Sequence, residues 1–244
     1  AVNRMVVVLL CLAAVLVLLS GCSSRQVELT DPERDPWEPF NRKVHAFNMG
    51  FDRAIFRPVA KGYDYIMPDA PQRGVRNFFR NLSYPVNVLN SLLQGKMDDA
   101  FISTGRFMMN STIGLLGFFD VATKVGIEEV REDFGQTLAV WGWKDSRFIM
   151  MPFIGPYTAR DLLGRGFYGY FHPISYAIRE YNNYVPLVVD LVTLRAELLP
   201  YQAELDAASD PYGLMRDVWL QNREFEIYDG DPPAPDYDAL LEDY

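Results

Sequence analysis

Apolar residues along this chain recur at helical spacing far more often than they alternate. In PFNRKVHAFNMGFDRAIFRP (39–58), Phe40, Val44, Phe47, Phe51 and Ile55 step by four, three, four and four. That sets them in one helical stripe, with Arg42, Lys43 and Arg53 away from it. A second stripe through Val75, Phe78, Phe79, Leu82, Val86 and Leu89 predicts another helix, bent or broken at Pro85, whose ring removes a backbone donor. A third helix is predicted from Lys96 to about Asn110, with Asp98 and Asp99 near its start, where the helix dipole favours anions. Asp210 and Pro211 form an N-cap and first-turn pair that opens a helix through Trp219 to about Phe225. Gly- and Pro-rich stretches punctuate the pattern: STIGLLGFFD, MPFIGPYT and GRGFYGYFHP. The expected class is all-α, made of short helices, with no internal repeat and no linker dividing the body.

Two windows do not suit an ordinary water-facing bundle. Phe107–Phe119 and Gly166–Ile178 carry no charge, and aromatics make up 14% of the chain. Both are too short to span a bilayer, yet apolar enough to lie in one leaflet; the alternative is a packed aromatic core. The N-terminal pattern bears on that choice. Arg4 precedes an uncharged apolar run, Met5–Leu19, about 22 Å long as a helix and short of a roughly 30 Å hydrocarbon core. This is the build of a signal peptide (1–21), and Leu19-Ser20-Gly21-Cys22 matches a bacterial lipobox. Cys22 is then the lipid anchor, attached by a thioether, and Ser23 at the sorting position favours the outer membrane over the inner. With Cys11 leaving in the signal, the mature chain has no disulfide. Residues 22–38 are expected to be a lipidated linker and 39–223 the helical domain.

Charge is uneven. From Ser23 to Arg223 acidic and basic residues nearly balance, whereas Glu224–Tyr244 is acidic with no basic residue, which predicts a flexible acidic tail over 224–244. No basic footprint for nucleic acid is present. The only histidines, His45 and His172, have no second ligand at metal spacing, so no metal and no cofactor is expected beyond the lipid on Cys22. His172 and Ser175 lack a nucleophile elbow. Gly164-Arg165-Gly166-Phe167-Tyr168-Gly169 fits G-x-G-x-x-G, with Asp190 about twenty residues on. Its setting is wrong for a dinucleotide site, and flexible or close-packed backbone is expected instead. No catalytic residue set stands out; the chain is not expected to be an enzyme.

From Asp35 onward the sequence resembles the MlaA (also VacJ) family of outer-membrane lipoproteins. The matching strings are DPWEPFNRKVHAFN (35–48), RPVAKGYDYIMP (57–68), GVRNFFRNLSYPVNVLNSLLQGK (74–96), RFMMNSTIGLLGFFDVA (106–122), EDFGQTLAVWG (132–142), PFIGPYTARD (152–161) and SDPYGLMRDVWLQNR (209–223). One departure is WKDSRFIMM (143–151), where the family commonly carries Gly-Pro-Tyr and where this chain is expected to have a differently shaped loop. The resemblance implies a ring of short amphipathic helices lying in the inner leaflet of the outer membrane around a central channel. It implies trimeric porins and a soluble periplasmic lipid carrier as partners, and retrograde transport of outer-leaflet phospholipids that maintains lipid asymmetry. Alternatives are a scaffolding lipoprotein or a lipid hydrolase. Polar groups in otherwise apolar sequence, Arg106, Asn110, Arg160 and Asp161, are candidates for the channel lining or, equally, for caps and salt bridges. Residues from about Asp120 to Trp143 are expected to form a helical hairpin with a charged, water-facing tip (Glu128, Glu129, Arg131, Glu132, Asp133). Gly114, Gly117 and Gly142 would be the hinges that let it gate the channel.

Overall fold

The structure, a computed structural model, describes residues 29–233. The signal segment, Cys22, the start of the expected linker and the end of the acidic tail lie outside the described residues. From Asp31 on, the chain forms one contact unit. Its first helix, α1 (Glu38–Phe51), has Pro39 in the first turn, where a missing donor costs nothing, and Glu38 at the positive end of the dipole. A π-helical turn, Asp52–Phe56, leads on to α2 (Arg57–Ile66). The long α3 (Asp69–Gln94) stops at Gly95, whose φ of 78° supplies the left-handed cap. Pro85 does not break α3. The proline costs about 3 kcal/mol, but Tyr84 and Val86 on either side of it are buried, and each such side chain returns about 1.5–3 kcal/mol.

α4 (Met97–Thr112) begins with Asp98 and Asp99 in its first turn, as the spacing predicts. Two short helices follow, α5 (Val121–Lys124) and α6 (Phe134–Val140), capped by the carboxylates of Asp120 and Asp133 on the backbone nitrogens of Thr123 and Gln136. The chain then makes an antiparallel hairpin, β1 (Phe148–Met151) and β2 (Gly155–Thr158), in the register Phe148↔Thr158 to Met151↔Gly155. α7 (Ala159–Phe171), α8 (Pro173–Tyr181), α9 (Val185–Glu197), α10 (Gln202–Ala207) and α11 (Pro211–Ile227) complete the order. α3 packs on α4, α6 and α9, while α6 also meets α7 and α11. Among the described residues no helix is long and apolar enough to cross a membrane.

Three boundaries differ from expectation. Residues 148–151 are not a loop but a strand, with Phe148 and Met150 fully buried beside Val44 and Tyr212. Asn41 fixes this strand to α1: its amide nitrogen donates to the Phe148 carbonyl (3.3 Å) and its oxygen accepts from Met150 N (2.9 Å). The expected linker is packed by residue 35, since Asp35 is buried and accepts from Asn41 and Tyr212. At the other end, α11 continues to Ile227, so the first residues assigned to the tail are helical, and Asp229 pairs with Lys96 (2.5 Å).

The apolar stripe of α3 faces inward, with Phe79 and Val86 buried, but much of the apolar surface elsewhere faces out. On α1 the buried residues are Glu38, Asn41, Val44 and His45, whereas Phe40, Phe47 and, on the following turn, Ile55 are exposed. α4 buries Ala100, Ser103, Arg106 and Asn110 and exposes Phe101 and Met108. Among the described residues, buried polar and charged side chains outnumber buried apolar ones. Exposed apolar side chains in such number mark a membrane or a partner.

Candidate functional site

Buried charge costs several kcal/mol per ion unless it is paired, so the interior of this chain is organised as polar knots. In the first, Arg106 on α4 donates to the Tyr84 hydroxyl (2.6 Å), the Ile127 carbonyl, both Asp120 oxygens (3.1 Å each) and Thr123 Oγ1 (2.9 Å). Asn110, one turn on, donates to Asp120 (3.0 Å) and accepts from Ala122 N (3.0 Å). In the second, Arg223 on α11 forks onto both oxygens of Asp133 (2.7 Å each) and reaches Asp161 (2.8 Å). Asp161 also accepts from Thr158 Oγ1 (2.7 Å) and pairs with Arg160, which donates to the carbonyls of Trp143 (3.0 Å) and Lys144 (2.9 Å). Arg223 and Asp133 each hold the other in its charged form: the guanidinium is driven up and the carboxyl down by their contact, against burial. Arg106, Asn110, Arg160 and Asp161 are thus brought together in pairs, all four buried, and all four spend their polar atoms on loops and helix ends. Arg223, Tyr84 and Asp120, which sequence reasoning did not single out, complete the knots.

The expected hairpin is built differently. Between α5 and α6 the chain is neither helix nor strand, and its charged tip is not free. Glu132 is buried and accepts from Lys96 Nζ (2.7 Å) and Gln94 (2.6 Å), and Asp133 belongs to the Arg223 knot. Only Glu128, Glu129 and Arg131 remain exposed. The reason is charge pairing: cations from α3–α4 and α11 lie within reach, so the carboxylates fold inward. The glycines differ as well. Gly114 is packed against the backbone of Asn110 and Phe119, and Gly117, at φ 95°, against the Asn81 side chain. Gly142, at φ 111°, faces open space.

Two cavities flank α7 and share one wall residue, Tyr168. One, of about 520 Å³, lies between β2, α7 and α11 and is bordered by Ile154, Tyr157, Trp219, Asn222 and Glu226. The other, of about 170 Å³, lies between α3, α7 and α9 and carries Arg76, Arg80, Ser83, His172, Asp190 and Glu197. In the smaller cavity Ser83 Oγ stands 3.1 Å from the Tyr168 hydroxyl and 3.3 Å from His172 Nε2. His172 Nδ1 accepts from Ile174 N (3.3 Å), which assigns the ring proton to Nε2 and makes the histidine a donor to Ser83. Burial alone brings His172 down to about 4 and lifts Asp190 up to about 6. Burial also lifts Tyr168 to about 12, against the Ser83 bond.

The G-x-G-x-x-G string lies inside α7, so its backbone nitrogens are committed to the helix rather than turned toward a phosphate. Gly164 instead lets α7 touch α6, since a Cβ there would stand 2.6 Å from Gly135 N, whereas Gly166 and Gly169 meet nothing. Ser175 receives neither ring nitrogen of His172. His45 packs edge-on against Tyr212, with ring centroids 5.7 Å apart. Among the described residues no three acidic, histidine or cysteine side chains gather as a metal would require.

Comparison with known proteins connects these features. The family model described as MlaA lipoprotein matches residues 33–226. The chain is 32% identical over 221 residues to the intermembrane phospholipid transport system lipoprotein MlaA of Haemophilus influenzae, covering 88% of each. It is equally 32% identical to the protein of that name in Escherichia coli, over 85% of this chain and 84% of that one. An uncharacterized protein of Rickettsia prowazekii is 37% identical over 195 residues, 79% of this chain and 78% of its own. A solved structure concerned with the structural basis for maintenance of bacterial outer membrane lipid asymmetry superposes with a TM-score of 0.70 at 30% identity, covering 79% of this chain and 98% of the other. The buried knots fall within the strings that the sequence shares with that family, and the chain belongs to the MlaA lipoprotein family.

Proposed function

We propose that this chain is a lipid-anchored protein of the bacterial outer membrane that removes phospholipids from the outer leaflet and passes them toward the periplasm. The observation that carries this is the inverted polarity: aromatic and aliphatic side chains outside, charged knots and polar-walled cavities inside. A phospholipid headgroup crosses hydrocarbon at a cost of several kcal/mol unless polar groups replace its water. An apolar rim lying in the inner leaflet, with hydroxyls and charges lining the cavities, offers that path. Cys22 carries the lipid anchor, trimeric porins hold the protein laterally, and a soluble periplasmic carrier receives the lipid.

Hydrolysis is the rival that one observation favours, because Ser83 and His172 stand 3.3 Å apart. The pair is set for structure instead. With Nδ1 accepting a backbone N–H, Nε2 already carries its proton and cannot take one from Ser83, whose own hydroxyl donates to the Phe79 carbonyl (3.3 Å). The test uses cells with and without the protein, labelled with an impermeant amine reagent. Surface-exposed phosphatidylethanolamine rises several-fold on deletion, and Ser83→Ala restores the normal level as well as the parent chain does. Unchanged labelling on deletion refutes transport, and loss of function in a folded Ser83→Ala protein moves the assignment to a hydrolase.

A further inference from the structure

α9 is apolar nearly all round. Across Val185–Leu194 its single charge is Asp190, while Val185, Val188, Leu191 and Leu194 are exposed. A helix that exposes such a face sits against lipid, and an ionisable residue on it is costly unless it has work to do. Asp190 turns into the cavity of about 170 Å³ between α3, α7 and α9, and among the described residues no hydrogen bond or ion pair reaches it. Thr193 and Glu197 follow it on the same face of α9, at spacings of three and four.

The α3 wall of that cavity carries the opposite charge. Arg76 and Arg80, one turn apart, share a single partner, Glu197, at 3.8 and 3.3 Å. A guanidinium has five N–H donors, so most of this pair's capacity is free for an acceptor such as phosphate. Tyr168 adds a hydroxyl, and His172, neutral near pH 7, adds no charge. One wall therefore offers net positive charge and the other an uncompensated carboxylate. The cavity is smaller than the pockets of 300 Å³ and more that take whole drug-sized ligands, and it suits a headgroup whose acyl chains remain outside.

We propose that this cavity is a headgroup site for zwitterionic, amine-bearing phospholipids, with Arg76 and Arg80 holding the phosphate and Asp190 the ammonium. The inference rests on the transport reading and names its substrate class. A glycerol headgroup carries the same phosphate but brings no cation to Asp190, so that carboxylate is left without a counter-charge and the site discriminates against it.

The full-length chain, reconstituted in nanodiscs of equal phosphatidylethanolamine and phosphatidylglycerol, is isolated and its retained lipid weighed by native mass spectrometry. The wild type retains phosphatidylethanolamine in about tenfold excess, one charge-assisted contact's worth of discrimination. Asp190→Asn, which keeps the shape and breaks no bond, retains the two equally. The double variant Arg76→Gln/Arg80→Gln retains several-fold less lipid of either kind. O-phosphoethanolamine in millimolar excess leaves the bound lipid in place. Displacement by it would assign the site to a soluble phosphate ester and overturn the proposal. Lipid retained at the bulk ratio by the wild type, or an unchanged preference in Asp190→Asn, sinks the headgroup site while transport stands. A chain that retains no lipid in any form sinks both.

Discussion

Arg106 is 1% exposed and directs all three guanidinium nitrogens to named partners on α3, α5 and the loop between α5 and α6. Truncating one member of such a buried pair leaves the other charge without compensation, which costs about 3–5 kcal/mol. Arg106→Ala should therefore lower the unfolding midpoint sharply in detergent. Arg106→Lys should rescue little, because an ammonium cannot reach Tyr84, Ile127, Asp120 and Thr123 together. His172 gives a pH-dependent counterpart. Burial holds it at about 4, below its ordinary value of 6.5, so the folded protein keeps it neutral while the unfolded chain takes a proton. Its contribution is full above pH 6.5 and is lost as pH falls toward 4, by up to about 3 kcal/mol. Asp190, lifted from 3.8 to about 6, acts in the opposite sense over 3.8–6. The difference between wild type and His172→Asn isolates the histidine. A pH-independent difference in melting temperature over 4–6.5 would show that His172 titrates normally in the fold.

At the scale of elements, periodicity found the helices and read the inward face of α3 correctly, with Phe79 and Val86 buried, but misjudged α1. The stripe Phe40–Val44–Phe47–Phe51 does mark one face of α1, but stripe analysis takes the apolar face as inward, and here Val44 is buried while Phe40 and Phe47 point out and Asn41 and His45 point in. What the buried side required, hydrogen-bond partners more than a hundred residues away, has no local signature; Asn41 with Met150 is such a pair. The hairpin was missed for a related reason: FIMM is four residues long, too short for alternation to stand out, and it becomes a strand because Asn41 and the core around Tyr212 receive it. A break at Pro85 was not needed, because the packing of Tyr84 and Val86 holds the helix through it. The glycine string was legible as close-packed backbone, and the structure sharpens that to one residue. Gly164→Ala should push α7 off α6 and cost a few kcal/mol, as overpacking does. Gly166→Ala, with nothing within 4 Å, should be neutral or stabilise the helix by up to about 1 kcal/mol. Equal melting temperatures for the two variants would remove the α6–α7 contact from the account.

For the whole molecule the question is which surface meets lipid. The loop after α4 gives the sharpest test. Ile113, Leu115 and Leu116 are each more than 60% exposed, and Leu115, Leu116 and Gly117 all take positive φ. Left-handed backbone at two leucines costs roughly 1–2 kcal/mol per residue and persists only when surroundings enforce it. Asn77 and Asn81 on α3 do so by donating to the carbonyls of Phe118 (3.3 Å) and Leu116 (3.4 Å), turning the polar backbone inward and the leucines outward. In water that arrangement wastes apolar area; in a leaflet it satisfies every constraint, since hydrocarbon demands internal partners for backbone and accepts leucine freely. Glu128, by contrast, is exposed in the charged stretch before α6 and belongs in water or headgroups. On the proposed reading that Cys22 carries lipid and Cys11 leaves with the signal, cysteines introduced at Leu116 and Glu128 can carry nitroxide labels. In reconstituted membranes, the Leu116 label should relax with lipid-soluble oxygen and be shielded from a water-soluble nickel chelate, and the Glu128 label should do the reverse. A Leu116 label as open to nickel as the one at Glu128 would mean that the apolar rim faces a protein partner or water, and embedding in the leaflet would have to be abandoned.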